Sequence, residues 1–246
     1  PYTSRKEDRM GAAVVMLREG FEASLVIGIV LAFLNRTGRR DAFATVWIGA
    51  AAAVALSVAA GSFLLMVGSE LEGTAEAAWE AATMLAAAAL LTWMIFWMRR
   101  QARTIKHDLE RGVERALARG SGMALALVVF VGVLREGVES ALFLLGTVEG
   151  ADALTSGIGA AAGVAAAAAL GVLVYRGSSR LDLRRFFSLT SVLLLVFAAY
   201  LLASGLHELE EAGILPESEA LLAAAFVGLA GPTLYAFFRR PKRVAA

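Results

Sequence analysis

Arg18-Glu19-Gly20-Phe21-Glu22 and Arg135-Glu136-Gly137-Val138-Glu139 are two copies of one charged pentapeptide. Each copy lies near the middle of a long apolar stretch, about residues 10–34 and 122–148. A helix of roughly 20 apolar residues crosses the hydrocarbon of a bilayer. Because a charged side chain at that depth costs roughly 2.5–3.5 kcal/mol, we interpret both motifs as functional.

The spacing within each motif predicts a cation site. Glutamates three residues apart share one face of a helix, and the arginine stands four residues before the second glutamate. The pairs Arg18–Glu22 and Arg135–Glu139 can therefore form, and each motif keeps a net charge of about −1. Carboxylate oxygens are ligands for hard cations. Two structural salt bridges are the alternative, but they leave one glutamate per motif unexplained. The candidate metal ligands are Glu19, Glu22, Glu136 and Glu139, with Arg18 and Arg135 balancing charge.

The composition excludes several classes of protein. Of 246 residues, 59% are hydrophobic and only four are proline, which indicates a polytopic helical membrane protein. The absence of cysteine excludes disulfides and thiolate metal sites, and the chain has only two histidines. We expect membrane lipid around the protein, no nucleic acid partner and no tightly bound organic cofactor.

Hydropathy predicts seven membrane spans, and the charges between them predict their orientation. The connections after spans one, three and five are rich in arginine, whereas those after spans two, four and six contain no lysine or arginine. The positive-inside rule then places the N-terminus outside and the C-terminus in the cytoplasm. We expect the first span to be retained rather than cleaved as a signal peptide. The spans are about 11–34, 43–67, 77–98, 122–148, 153–175, 186–206 and 220–238.

The segment between spans three and four, about 99–121, is too polar to cross the membrane. Its apolar residues recur every four positions, which predicts a basic amphipathic helix on the cytoplasmic surface that acts as a connector. Trp93 and Trp97 stand just before it and are expected to form an interfacial aromatic belt.

The chain contains an internal repeat. Val14–Leu25 and Val131–Leu142 agree at seven of twelve positions, and Ile48–Gly61 and Ile158–Gly171 at nine of fourteen. Each unit has three spans, so the two units must cross the membrane in opposite directions. We therefore predict an all-α polytopic membrane protein with two inverted three-helix repeats plus a seventh helix. Its parts are repeat 1 (about 11–98), the linker (about 99–121), repeat 2 (about 122–206) and helix 7 (about 220–238), forming one transport domain.

The doubled motif, the seven-span plan and the stretch GLHELEEAGILP (residues 205–216) resemble the high-affinity, oxidase-dependent iron permeases. The resemblance covers the chain beyond Met10. It implies a transporter rather than an enzyme, in the cell (inner) membrane of a bacterium, that moves iron inward, with Fe(III) expected. It also implies the four motif glutamates as iron ligands and an extracytoplasmic ferroxidase, peroxidase or cupredoxin-like partner.

Two further groups of residues are candidates for an entry or secondary metal site on the outer face. Glu72, Glu76 and Glu80 recur every four residues at the start of span three, and His207, Glu208 and Glu211 lie at the end of span six. A solvated helix start and a polar helix cap are the structural alternatives. For the protein as a whole, the alternatives are a transporter of Mn, Mg or Pb and a membrane enzyme with a carboxylate-bridged metal pair. The oligomeric state is not predicted.

Overall fold

Seven α-helices make up almost all of the part of the chain that can be described. The computed structural model describes residues 2–101, 105–148, 153–175 and 183–216, together with residues 224, 227, 228 and 231. One short 3-10 turn, Arg40–Ala42, precedes the second helix. The helices are α1 (Tyr2–Arg36), α2 (Phe43–Ser69), α3 (Thr74–Gln101), α4 (Ile105–Ala118), α5 (Gly122–Val148), α6 (Ala153–Tyr175) and α7 (Leu183–Glu211).

The helices match six of the predicted spans, and the all-helical fold class is confirmed. Within the described residues, three segments are both long and apolar enough to cross a bilayer: Arg40–Ser69, Thr74–Trp97 and Leu189–Glu211. Helix α5 is also long enough, with 27 residues, but any stretch of 18 residues within it contains the three charged residues of the motif. These charges lower the hydropathy of the helix. Helix α1 begins at Tyr2, N-terminal to the predicted start of span one. The predicted seventh span, 220–238, lies almost wholly outside the described residues.

Glycines in the left-handed backbone region end two of the helices. Gly38 (φ 74°) follows α1 and Gly213 (φ 70°) follows α7. At both positions the next amide reaches back to the helix, from Arg39 to the Leu34 carbonyl at 2.9 Å and from Ile214 to the Leu209 carbonyl at 3.0 Å. This left-handed glycine cap satisfies carbonyls that the helix itself leaves open.

The helices pair across the two halves of the sequence. Helix α1 packs most extensively against α6, α2 against α5, and α3 against α7, while α1 and α5 meet at the centre. Val26 of α1 lies beside Gly132 of α5, whereas Glu19 and Glu22, earlier in α1, lie beside Glu136, later in α5. Helices α1 and α5 are therefore antiparallel.

The two peripheral pairs are equivalent in register. Gly20 of α1 faces Ala167 of α6, and its counterpart Gly137 of α5 faces Ser57 of α2. Gly171 faces Ser24 in the first pair, and Gly61 faces Ala141 in the second. The α1–α6 contacts thus correspond to the α5–α2 contacts at equivalent positions of the repeat. An inverted repeat predicts this correspondence.

The apolar face of α4 packs against the helix bundle, and the location of this linker at the cytoplasmic surface stays a prediction. Val113 is fully buried and Ala116 is 3% exposed, in a cluster that they share with Leu34, Val46 and Leu125. Arg36 at the end of α1 also donates a hydrogen bond to Glu110 of α4 at 2.8 Å. An amphipathic pattern does not distinguish a lipid surface from a protein surface, so the sequence could not decide between them.

Two apolar clusters occupy opposite ends of the central α1–α5 pair. The α4-side cluster contains Val26 and Leu34 of α1 with Leu125 and Val129 of α5. The α7-side cluster contains Val15 of α1 and Phe143 of α5, together with residues of α3 and α7, among them Leu91, Met94, Leu194 and Leu201. The two charged motifs lie between these clusters along both helices.

Candidate metal centre

The two motifs meet where α1 and α5 face each other. Carboxylate oxygens of Glu19, Glu22 and Glu136 all lie within 4.8 Å of one another. Glu139 is close enough to interact electrostatically with Glu19 and Glu22. All four glutamates are buried, between 0% and 6% exposed. We call these four glutamates, with Arg18 and Arg135, the carboxylate layer.

Each arginine pairs with glutamates of its own helix, as the spacing predicts. Arg18 Nε lies 3.3 Å from Glu22 Oε1, and its Nη1 donates to Glu19 Oε1 at 3.3 Å. Arg135 Nε donates to Glu139 Oε1 at 2.9 Å and is 3.8 Å from Glu136 Oε1. Both i,i+4 pairs are thus confirmed.

These ion pairs leave part of every carboxylate unsatisfied. Among the described residues, one buried oxygen of each motif glutamate has no hydrogen-bond partner: Glu19 Oε2, Glu22 Oε1, Glu136 Oε2 and Glu139 Oε2. Buried polar atoms are nearly always partnered, because an unsatisfied one costs about 1–3 kcal/mol and a charged one more. Three such oxygens in one place, beside a Glu22 Oε1 that is held only by its ion pair with Arg18, fit a cation that supplies the missing partner.

The charge and surroundings of the layer suit a metal ion. When all four carboxylates are ionised, they and the two arginines carry a formal charge of −2, and the oxygens are hard donors. The four glutamates are buried between the apolar clusters, so a cation there interacts strongly with the carboxylates. The arrangement can therefore strip water from an ion and hold it halfway along two helices.

The glycine in each motif provides close helix packing. A Cβ built on Gly20 would lie 2.9 Å from the Cβ of Ala167, and one built on Gly137 would overlap the hydroxyl of Ser57. The glycines thus let α1 approach α6 and α5 approach α2, while the glutamates on the other side of each helix face the centre.

Helix α3 contributes two residues that the sequence did not assign to the site. Arg18 Nη1 donates a hydrogen bond to Met94 Sδ at 3.5 Å, and the Arg135 guanidinium lies over the Trp97 ring, 3.7 Å from its centroid. Trp93 is 54% exposed, as expected for an interfacial residue. Trp97 lies against Arg135 of the carboxylate layer, a contact that the aromatic-belt prediction did not include. The i,i+3 spacing of Met94 and Trp97 indicates that the two side chains share one face of α3. The residues that this face contacts depend on how α3 packs, which the spacing does not show.

The predicted outer residues do not join the carboxylate layer. Glu72 precedes α3, so the expected i+4 series of acids is not continuous; Glu72 and Glu76 are exposed and Glu80 is half-buried. On α7, His207 Nε2 lies 3.2 Å from Glu211 Oε1, while Glu208 is half-buried. Glu210, which sequence reasoning did not single out, is buried, and its Oε2 lies 3.9 Å from His207 Nδ1.

Comparison with known proteins gives a consistent result. Residues 9–222 match the family described as "Iron permease FTR1 family". The chain is 39% identical over 203 residues to the ferrous iron permease EfeU of Escherichia coli O157:H7 and to that of Shigella sonnei, covering 82% of this chain and 74% of each relative. It is 36% identical to the ferrous iron permease EfeU of Yersinia pestis over 82% of this chain and 72% of that protein. No solved structure matches the chain.

Proposed function

Because this chain belongs to the iron permease FTR1 family, we propose that it takes up iron by passing the ion through the carboxylate layer between α1 and α5. The relatives are permeases, so the protein is a multi-pass membrane transporter of iron rather than an enzyme. The observation that carries the proposed route is the set of four buried carboxylate oxygens without a hydrogen-bond partner among the described residues.

The four glutamates have distinguishable roles in this proposal. Glu19, Glu22 and Glu136 already converge and form the first ligand set, whereas Glu139 is tied to Arg135 at 2.9 Å. The arginines limit the net negative charge of the layer, which keeps the ion from being held too tightly for release. Separation of one apolar cluster at a time would expose the ion first to one side and then to the other.

Charge balance favours iron in the ferrous form. A divalent ion neutralises the formal charge of −2, whereas Fe(III) leaves an excess of +1 buried between apolar clusters. The relatives are named ferrous iron permeases. We therefore propose Fe(II) as the transported ion, and the Fe(III) expected from the sequence resemblance is the alternative that the assay below separates.

The orientation and partners belong to the same proposal. The arginine-rich turns after α1 and α3 face the cytoplasm, and the turns after α2 and α7 face outward. Inward movement of a divalent ion then gains roughly 4.6 kcal/mol at 100 mV, twice the gain for one charge. An extracytoplasmic ferroxidase, peroxidase or cupredoxin-like protein that delivers the iron remains a prediction from the family resemblance.

Uptake of labelled iron into proteoliposomes tests the route. Purified wild type is compared with Glu22→Gln and Glu136→Gln, which keep the side-chain shape and remove a charged ligand. We expect each variant to reduce uptake by roughly tenfold or more, since even outer-shell changes weaken a metal site by 10–100-fold. Glu114→Gln, at an exposed position of α4, is the control and should transport normally.

Uptake into the same vesicles shows which oxidation state of iron is transported and whether other metals compete with it. Ascorbate-reduced Fe(II) and citrate-bound Fe(III) are supplied separately, with Mn, Mg and Pb as competitors. We expect Fe(II) to be accumulated faster. Unchanged accumulation after all four motif glutamates are replaced by glutamine would refute the carboxylate route.

A further inference from the structure

The two motif arginines occupy different environments although their motifs are equivalent in sequence. Arg18 is fully buried and lies 3.3 Å from both of its glutamates. The Arg135 side chain is 31% exposed, forms one short contact to Glu139 at 2.9 Å and keeps 3.8 Å from Glu136. This difference needs a cause outside α1 and α5, because within those helices the spacings are the same.

Helix α3 supplies that cause. It presents Met94 to Arg18 and Trp97 to Arg135, and these residues share a face because they are three positions apart. A thioether is a weak acceptor that leaves the guanidinium free to turn toward its glutamates. An indole face attracts a guanidinium strongly and keeps it flat against the ring. With Cζ only 3.7 Å from the ring centroid, Arg135 is held in a stacked position.

Stacking fixes which glutamate Arg135 can reach. From its place over Trp97 the guanidinium directs Nε toward Glu139, and Glu136 Oε2 stays unpartnered among the described residues. Glu136 is the α5 residue whose oxygen converges with Glu19 and Glu22. An arginine released from the ring could move toward Glu136 and compete there with the metal ion.

We propose that Trp97 is a positioning residue that holds Arg135 against Glu139 and thereby keeps Glu136 open for the metal. This inference rests on the proposed function of the carboxylate layer. Trp97 itself does not bind the ion; it acts through Arg135. Its ring is in turn stacked on that of Trp93, with centroids 6.0 Å apart.

The test compares Trp97→Leu, Trp97→Phe and Trp47→Leu in proteoliposomes and in detergent. Trp97→Leu removes the aromatic face and should raise the KM for iron and the Kd for Fe(II) roughly fivefold or more, as expected for loss of a cation–π contact. Trp97→Phe keeps an aromatic face and should remain within about twofold of wild type. Trp47→Leu, the control at an exposed tryptophan of α2, should leave KM and Kd unchanged.

A second measurement separates positioning from general packing. In an Arg135→Gln background, Trp97→Leu should add no further change in Kd, because the arginine that the ring holds is gone. If Trp97→Leu does not accumulate in the membrane, Trp97→Met fills a similar space without an aromatic face and replaces it.

Each outcome has a defined meaning. Equal effects of Trp47→Leu and Trp97→Leu, or a wild-type Kd in Trp97→Leu, would overturn the role of Trp97 while transport by wild type continued. Wild-type vesicles that accumulated no iron, or normal uptake after all four glutamates were neutralised, would instead defeat the proposed function. The two failures are therefore distinguishable in one set of preparations.

Discussion

At the scale of single residues, burial decides how much each motif arginine contributes to the stability of the protein. Arg18 is completely enclosed, and its nearest groups are Glu19, Glu22 and the sulfur of Met94. Removing one partner of a buried ion pair is strongly destabilising because the remaining charge is left without compensation. The Arg135 side chain is 31% exposed and makes one short contact, to Glu139, so its ion pair is less enclosed than that of Arg18.

Arg18→Gln should therefore destabilise the protein more than Arg135→Gln does. We expect a loss of about 3–5 kcal/mol for Arg18→Gln, the range measured for broken buried pairs, and clearly less for Arg135→Gln. Thermal unfolding in detergent, followed by the loss of helical circular dichroism, gives the comparison. Equal shifts in Tm for the two variants would contradict the assigned difference in burial.

The sequence was sufficient for the interactions within each motif and insufficient for those with α3. The Arg18–Glu22 and Arg135–Glu139 pairs depend only on helical spacing, which any α-helix provides. The contacts of Met94 and Trp97 depend on the position of α3 beside α5 and α1, which composition does not encode. Trp97 also satisfied the compositional rule for an interfacial tryptophan, and that rule gives no information about its contact with Arg135.

At the scale of helices, small residues decide which elements can meet. Gly137 of α5 lies directly against Ser57 of α2, and Gly20 of α1 against Ala167 of α6. Without a hydrophobic driving force between helices in lipid, such close approach is a main source of attraction. The small faces were predictable from the alanine-rich spans, but the partner of each face was not, because alanine is present on nearly all sides of α2 and α6.

Gly137→Ala should weaken the α2–α5 contact, and Ser57→Gly should restore it. The added Cβ would lie 2.7 Å from the Cβ of Ser57, and overpacking of this kind costs about 1–3 kcal/mol. The equivalent exchange is Gly20→Ala with Ala167→Gly. Thermal stability of the single and double variants in detergent measures both couplings.

Gly28→Ala is the control for this series. It lies in the same helix as Gly20, but no atom of a neighbouring helix stands within 4 Å of a Cβ built there. Alanine should be neutral or stabilising at this position because it favours the helix. A loss of stability at Gly28 as large as that at Gly137 would show that the effect comes from the helix backbone and not from the contact between helices.

At the scale of the whole molecule, the four motif glutamates are buried between two apolar clusters. The α4-side and α7-side clusters lie at the two ends of the α1–α5 pair, on either side of the glutamates. The alternating charge of the connections predicts which cluster faces the cytoplasm, and the sequence supplied that orientation without any packing information.

Single cysteines introduced into this cysteine-free chain test the orientation. Thr37→Cys and Ala118→Cys, at exposed positions near the arginine-rich turns, should react with a membrane-impermeant maleimide only after cells are opened. Ser69→Cys and Ile214→Cys, exposed at the opposite ends, should react in intact cells. The reverse pattern would place the N-terminus in the cytoplasm.

The crosswise pairing of helices has a consequence for how the protein is made. Helices α1, α2 and α3 find their main partners in α6, α5 and α7, which the ribosome delivers later. During synthesis the first three helices enter the lipid before their partners are made. Arg18, Glu19 and Glu22 then lack the motif of α5 that completes the carboxylate layer. Nascent chains halted before α5 should therefore be short-lived targets of membrane proteases, and a half-length gene should yield no stable product.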